Sequence, residues 1–303
     1  MKSAIGGQLM RRFSMISASL VSHLESQRLD ISDLTALIAR AFAEDIKEGD
    51  DKTTIATIAD SHESIAKMRA RKAGVLAGVY VAGAVLESVG ITDIKYLRSC
   101  GDAVTAGDVI IEINGNTRNI LRSERIALNF ISHLSGIATL TNAWVKEVSG
   151  TGAVIRDTRK TTPGLRQLEK FAVRMGGGEN HRMNLSDGAI IKDNHIAAAG
   201  SITEAINKVR ATFPGMPVEV EVDSIEQLKE ALQSNPEIVL LDNMSIEMTK
   251  AAVELTRETK TLLESSGGLT LANAKSYAET GVDYLAIGAL THSAPILDIG
   301  LDF

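Results

Sequence analysis

Between Arg156 and Lys192 the sequence gathers eight cations, Arg156, Arg159, Lys160, Arg166, Lys170, Arg174, Arg182 and Lys192, against four acids, Asp157, Glu169, Glu179 and Asp187. The segment is therefore +4 within a chain of net charge −6, and the remainder carries −10. A cationic island in an acidic chain draws small anions into a cleft without attracting polyanions in general. A solvated charged face is the alternative. Gly176-Gly177-Gly178 and Thr161-Thr162-Pro163-Gly164 make the stretch too irregular for a helical surface of that kind.

Glu221 and Asp242 each close a short apolar run, which aims both carboxylates into one mouth if those runs are neighbouring parallel strands. So sparse a pair beside a phosphorylated guest suits Mg²⁺, which keeps most of its waters and takes one or two protein oxygens. Alternatively, one of the two is the salt-bridge partner of a strand-end Lys or Arg. Ser266-Gly267-Gly268 and Gly288 follow the last two runs, where glycine lets backbone amides approach a phosphate; a plain tight turn would also ask for glycine. His181 and His195 lie 14 residues apart without a cysteine partner, so zinc is not expected, and His181 beside Arg182 reads as an anion ligand. Lys192, ending another run, is a Schiff-base candidate. Gly176-Gly177-Gly178-Glu179 lacks the Gly-Lys-Ser/Thr ending of a P-loop, and no strand feeds a Gly-x-Gly-x-x-Gly helix.

These side chains need a scaffold that brings them to one place. Six short apolar runs read as buried strands: 153–156, 188–191, 218–222, 238–241, 261–264 and 284–287. The polar ends of the last five are separated by 29, 21, 24 and 22 residues, each the length of one β-α unit. Ser224-Ile225-Glu226-Gln227 has capping-box spacing just after one of the runs. Parallel strands with helical crossovers form a doubly wound sheet or a barrel, and both bind ligands at the strands' carboxyl ends.

The earlier part has another texture. A helix capped by Ser32 carries Leu34, Leu37, Ile38, Ala41 and Phe42; a glycine-punctuated, sheet-containing stretch follows from about Thr54 to Gly115; a long helix from Leu121 to Val148 then joins the two parts. Gly101 to Ile110 reads as a plain hairpin, superficially like a lipoyl or biotinyl carrier but with no lysine in the turn.

With 303 residues, 44% hydrophobic and 23% charged, the chain can bury a large core, and disorder, collagen and disulfide scaffolds are excluded. The net charge gives no reason to expect a nucleic-acid partner. Cys100 is the only cysteine, which fits a reducing, cytoplasmic setting. No apolar run approaches the roughly 20 residues of a membrane helix, so no membrane partner is expected. The first 24 residues contain Lys2, Arg11 and Arg12 and no acid, the composition of a transit peptide or of an ordinary N-terminal extension.

Asp157-Thr158-Arg159-Lys160-Thr161-Thr162-Pro163-Gly164-Leu165-Arg166, Gly176 to Arg182 and Asp187 to His195 closely resemble the quinolinate phosphoribosyltransferase family. The likeness runs from the Glu44–Thr54 region through Ser123-Glu124-Arg125 and Leu134 to Thr139, and on to Gly288-Ala289-Leu290-Thr291-His292. The resemblance implies an α/β protein with an N-terminal α/β sandwich and an incomplete parallel α/β barrel, of the type II phosphoribosyltransferase kind. Residues 1–30 would be an extension, 31–130 the sandwich, 131–290 the barrel, and 291–303 a segment packing back on the N-terminal domain. It implies a homodimer whose active sites are completed by the neighbour, and transfer from phosphoribosyl pyrophosphate to quinolinate giving nicotinate mononucleotide, pyrophosphate and CO₂.

By the same resemblance, quinolinate is held by Arg125 of the neighbouring subunit with Arg159, His181, Arg182 and Lys192. Lys160, Glu221 and Asp242 are the catalytic candidates. Thr158, Lys160, Glu221, Asp242, Ser266, Gly267, Gly268 and Gly288 bind phosphoribosyl pyrophosphate, with Mg²⁺ at Glu221 and Asp242, directly or through water. The rival readings are a related barrel paralogue acting on another acid, a Schiff-base aldolase using Lys192, and a non-catalytic phosphosugar-binding protein.

Overall fold

The six apolar runs of the later part become one parallel sheet in the computed structural model, which describes residues 16–47 and 49–303. Most of the acid-free N-terminal stretch lies outside the described residues. The chain divides into two units: 16–139 with 167–176 and 294–303, and 140–166 with 177–293.

In the first unit, β1 (Glu63–Ala70), β2 (Gly74–Val75), β3 (Asp93–Tyr96), β4 (Ala103–Val104) and β5 (Val109–Asn116) lead into the helix Thr117–Glu147. The C-terminal strand Ile299–Asp302, β1, β5 and β3 form an antiparallel sheet in that order, with a bulge in β1 between Met68 and Arg69. Ala66, Met68 and Ala70 are buried while Glu63 and Ile65 are exposed, the alternation of a sheet with one covered face. The 101–110 hairpin does not form: β4 pairs with β2 instead, Gly74 opposite Val104. Asp108 turns the chain there, accepting at Oδ2 from the Thr105 N–H at 2.7 Å.

Residues read as an extension form the helix Ala18–Ser26, capped by Ser17, with Leu20 and Leu24 buried. The next helix, Ile31–Ile46, is capped by Asp30 rather than Ser32, since the Asp33 N–H donates to Asp30 Oδ1 at 2.9 Å. Its Leu34, Ile38 and Phe42 are buried at fourfold spacing.

The second unit contains β6 (Val154–Arg156), β7 (Ala189–Ile191), β8 (Val218–Val222), β9 (Ile238–Asp242), β10 (Leu262–Ser266) and β11 (Tyr284–Ala286). Their order is β6-β11-β10-β9-β8-β7 and every pairing is parallel, so the sheet is an incomplete α/β barrel, open between β6 and β7. Near that gap, Glu179 makes a parallel bridge to Arg156. Val220, Val239, Leu241, Leu263 and Leu285 are buried. Each such side chain contributes about 1.5–3 kcal/mol by leaving water, which is why the strands read as near-continuous apolar runs.

Helices follow the strands with their starts fixed locally. Ser201, Ser224 and Ser245 each accept an N–H of the first turn at their hydroxyl. Around Ser224 the capping box is offset by one residue, because Gln227 Oε1 accepts from the N–H of Asp223.

Candidate active site

All six strands of the second unit send residues from their carboxyl ends into one cavity of about 680 Å³. The strand period of two accounts for the selection: Ile190, Glu221, Leu240, Asp242, Glu264 and Ser266 face it from β7 to β10. Glu221 stands in register with Leu240, and Asp242 with Ser266.

Of the residues expected at the site, Thr158, Arg159, Lys160, His181, Arg182, Lys192, Glu221, Asp242, Ser266 and Gly267 line this cavity. Gly268 adjoins it through Gly267, and both have left-handed backbone, φ +62° and +84°. Gly288 lies beside Lys160, since a Cβ there would stand 3.2 Å from Lys160 Cδ and 3.2 Å from His292 Nε2. The Lys160 carbonyl accepts from Thr291 Oγ1 at 2.7 Å, which ties the loop after β6 to the turn after β11. Arg125 is exposed on the helix Thr117–Glu147 and is not among the lining residues.

The loop 177–182 is positioned by Asp157, which is fully buried and accepts from the His181 N–H at 2.9 Å and from Asn180 Nδ2 at 2.6 Å. Arg182 Nη1 donates to the Gly188 carbonyl at 2.6 Å. The Nε–H groups of Arg159 and Arg182 are buried without a partner, and neither guanidinium has a carboxylate within ion-pair distance among the described residues. Burial first, and then the charge of Arg159, weaken the hold of Arg182 on its proton. Two crowded guanidinium groups whose buried Nε–H donors have no protein acceptor among the described residues form a site suited to an anion.

Lys192 donates to Glu221 Oε2, so the salt-bridge alternative for one of the two acids is realised here. Asp242 is held differently, with Oδ2 accepting from Asn243 Nδ2 at 3.0 Å and Oδ1 without a protein partner among the described residues. Lys192 is also the N-cap of the helix Asp193–Ala199, its N–H donating to His195 Nδ1 at 3.0 Å. That explains His195 as a structural residue.

Beneath the cavity is a buried polar layer that the motifs did not announce. Arg156 lies over the Tyr284 ring, 4.2 Å from its centroid, and donates to Glu264 Oε2 at 2.8 Å. His181 Nε2 stands 2.8 Å from Glu219 Oε2 and 3.6 Å from Glu264 Oε1. This trio has a metal-like composition. However, His181 Nδ1 accepts the Arg182 N–H at 2.7 Å, which puts the ring proton on Nε2, donating to Glu219 and leaving no lone pair for a metal. Both ring nitrogens are thus engaged within the protein, and His181 serves the cavity as a wall and as the anchor of the Arg182 backbone.

Alternation was the signal that could have revealed this layer. Glu219 precedes Glu221 by two and Glu264 precedes Ser266 by two, so each shares a strand face with an expected residue.

Burial, and secondarily Glu219, push the Glu264 carboxyl up to about 7 from 4.5. The folded chain therefore keeps a proton that the unfolded chain has already released, and stability should fall as pH rises from about 4.5 to about 7. Glu264→Gln cannot ionise and should flatten that slope. Urea midpoints at several pH values would check this, and equal slopes for both proteins would contradict it.

The comparisons agree with the geometry. Residues 137–302 match the family model "Quinolinate phosphoribosyl transferase, C-terminal domain", and residues 51–135 match the corresponding N-terminal domain. The chain is 52% identical over 270 residues to the nicotinate-nucleotide pyrophosphorylase [carboxylating] of Mycobacterium leprae, covering 88% of this chain and 95% of that one. It is 42% identical to the probable nicotinate-nucleotide pyrophosphorylase [carboxylating] of Bacillus subtilis, covering 89% and 93%. The solved nicotinate-nucleotide pyrophosphorylase of Francisella tularensis superposes with a TM-score of 0.86 at 38% identity, covering 90% and 97%. With both domain models matched and the cationic cavity at the strand ends, the chain belongs to the quinolinate phosphoribosyltransferase family.

Proposed function

We infer that this chain transfers the phosphoribosyl group of phosphoribosyl pyrophosphate to quinolinate with decarboxylation, giving nicotinate mononucleotide, pyrophosphate and CO₂ for NAD biosynthesis. The observation that carries the reading is the pair of unmatched guanidinium groups, Arg159 and Arg182, in one cavity with Glu221, Asp242 and the Ser266-Gly267 turn.

Two carboxylates on one planar ring match forked guanidinium donors, so Arg159 and Arg182 grip the acid, and Lys192 joins them when it leaves Glu221. The ring nitrogen, held against the anomeric carbon, donates its lone pair to form the new C–N bond. The C–O bond to pyrophosphate breaks, and its electron pair leaves with the pyrophosphate. Positive charge develops at the anomeric carbon, where Glu221 and Asp242 stabilise it, while Lys160 balances anionic charge between the two substrates. The resulting pyridinium is an electron sink. The bond to the adjacent carboxylate breaks, CO₂ departs, the electron pair stays on the ring carbon, and that carbon takes a proton from water. Positioning provides most of the rate, and no protein nucleophile is required.

The donor set fits a hard divalent ion: two carboxylates from adjacent strands, one with an oxygen that no protein group among the described residues takes. Glu221 and Asp242 would hold Mg²⁺, with waters completing its shell. Bound there, Mg²⁺ supplies charge neutralisation for the leaving pyrophosphate.

The working unit in this reading is a homodimer in which Arg125 reaches the neighbour's quinolinate, supported by its exposure on its own chain. Mixing inactive Arg125→Ala with inactive Lys192→Ala subunits should restore part of the activity; no recovery after verified subunit exchange would contradict sharing. Among the described residues no helix is long and apolar enough to cross a membrane. The reading places the enzyme in the cytoplasm, supported by the single cysteine.

A turnover assay with quinolinate, phosphoribosyl pyrophosphate and Mg²⁺ tests the function. Pyrophosphate and CO₂ should appear one for one, and nicotinate should not replace quinolinate. The aldolase alternative has a separate signature, since borohydride with a sugar phosphate would trap an adduct on Lys192.

A further inference from the structure

We propose that Asn243 is a positioning residue that latches Asp242 to the turn Gly267–Gly268, so that one side chain sets both an acid at the ribose and the phosphate cradle; this rests on the phosphoribosyl reading above.

Asn243 follows the end of β9 and lines the cavity. Its backbone is left-handed, φ +53°, a conformation that asparagine tolerates better than most side chains do. Three contacts diverge from it. The Asn243 N–H donates to the Ser266 carbonyl at 2.9 Å, extending the β9–β10 ladder one step past the strand. Its Nδ2 donates to Asp242 Oδ2 at 3.0 Å, which orients that carboxylate, itself a lining residue of the cavity. Its amide fills the space in front of Gly267, where a Cβ would lie 2.3 Å from Asn243 Oδ1 and 2.5 Å from Cγ.

The glycine turn is therefore shaped by more than its own backbone freedom. Gly267 has φ +84° and would strain any side chain, and the asparagine amide additionally occupies the volume a side chain would need. Met244, which follows Asn243, is pinned as well, because Tyr277 Oη donates to its carbonyl at 2.9 Å. The strained residue is held on both sides, as a group must be if it is to fix the geometry of its neighbours.

Three variants separate backbone, side chain and charge. Asn243→Gly adopts the left-handed backbone freely and removes only the amide. It should raise KM for phosphoribosyl pyrophosphate about tenfold or more, the usual effect of losing a hydrogen bond to a charged group, with KM for quinolinate within about twofold and Tm close to wild type. Asn243→Asp keeps the shape and tolerates the same backbone, but places an acceptor against Asp242 Oδ2. It should lose more than Asn243→Gly, and it carries the test if the glycine variant fails to fold. Gly267→Ala should cost less in the Asn243→Gly background than in wild type, in KM and in Tm, because the amide it would strike is gone.

The latch is overturned if both Asn243 variants keep KM for phosphoribosyl pyrophosphate within about twofold of wild type. It is equally overturned if they raise both KM values alike while Tm falls, or if Gly267→Ala costs the same in both backgrounds. A folded wild-type chain that turns over neither substrate overturns the functional reading instead, and the coupling of Gly267 to Asn243 in Tm still decides the latch.

Discussion

Arg159→Ala should raise KM for quinolinate by about two orders of magnitude or more while moving KM for phosphoribosyl pyrophosphate only a few-fold, because truncating one partner of a desolvated charge pair costs about 2–5 kcal/mol. The asymmetry follows from what surrounds the guanidinium. Arg159 has a buried Nε–H without a partner and no carboxylate paired to it among the described residues, so under the proposed function its donors serve the acid and not the fold. Removing it should also relieve the repulsion that Arg182 feels, so Tm should hold or rise. Steady-state kinetics with each substrate varied in turn check this. Equal losses for both substrates would show that Arg159 does not read the acid.

Glu221→Gln should act in the opposite sense on binding and on rate. Here Glu221 holds Lys192, and quinolinate must compete for that ammonium. Without the charge, Lys192 is free, and KM for quinolinate should stay level or fall. Stabilisation of the developing positive charge at the anomeric carbon is lost at the same time, so kcat should drop by about 10²–10³. A variant with unchanged kcat and a raised quinolinate KM would make Glu221 a scaffold for Lys192 and nothing more.

The sequence showed the expected residues, and much less of how they are held. Runs such as Ile238–Leu241 were legible as strands because a parallel sheet buries both of its faces, and the acids at their ends were legible because a polar residue there interrupts the run. The layer beneath was not. Glu219 stands between Val218 and Val220 and Glu264 follows Leu262 and Leu263, and only their distance of two from Glu221 and Ser266 placed them on the cavity face. His181 was legible as a site residue, but its role depends on which atoms it faces: Glu219 on one nitrogen and the Arg182 N–H on the other.

Local rules also failed where tertiary pairing decided. Ala103–Val104 and Val109–Asn116 are close enough in sequence to make a hairpin, yet the former pairs with Gly74–Val75 and the latter with β1 and β3. Ser32 had the right chemistry for a cap, and Asp30 was better placed by two residues. Asn243 carried no motif at all, because a left-handed asparagine after a strand is a property of backbone geometry, which composition does not disclose.

The central claim is that fixed, unmatched positive groups in this cavity grip a ring bearing two adjacent carboxylates, and equilibrium binding to the wild-type chain tests it most directly. Titration by calorimetry at about 0.15 M salt, where exposed charges are screened beyond about 8 Å, should show pyridine-2,3-dicarboxylate binding at least about a hundredfold more tightly than pyridine-3-carboxylate. Equal affinity for the two acids would contradict the account.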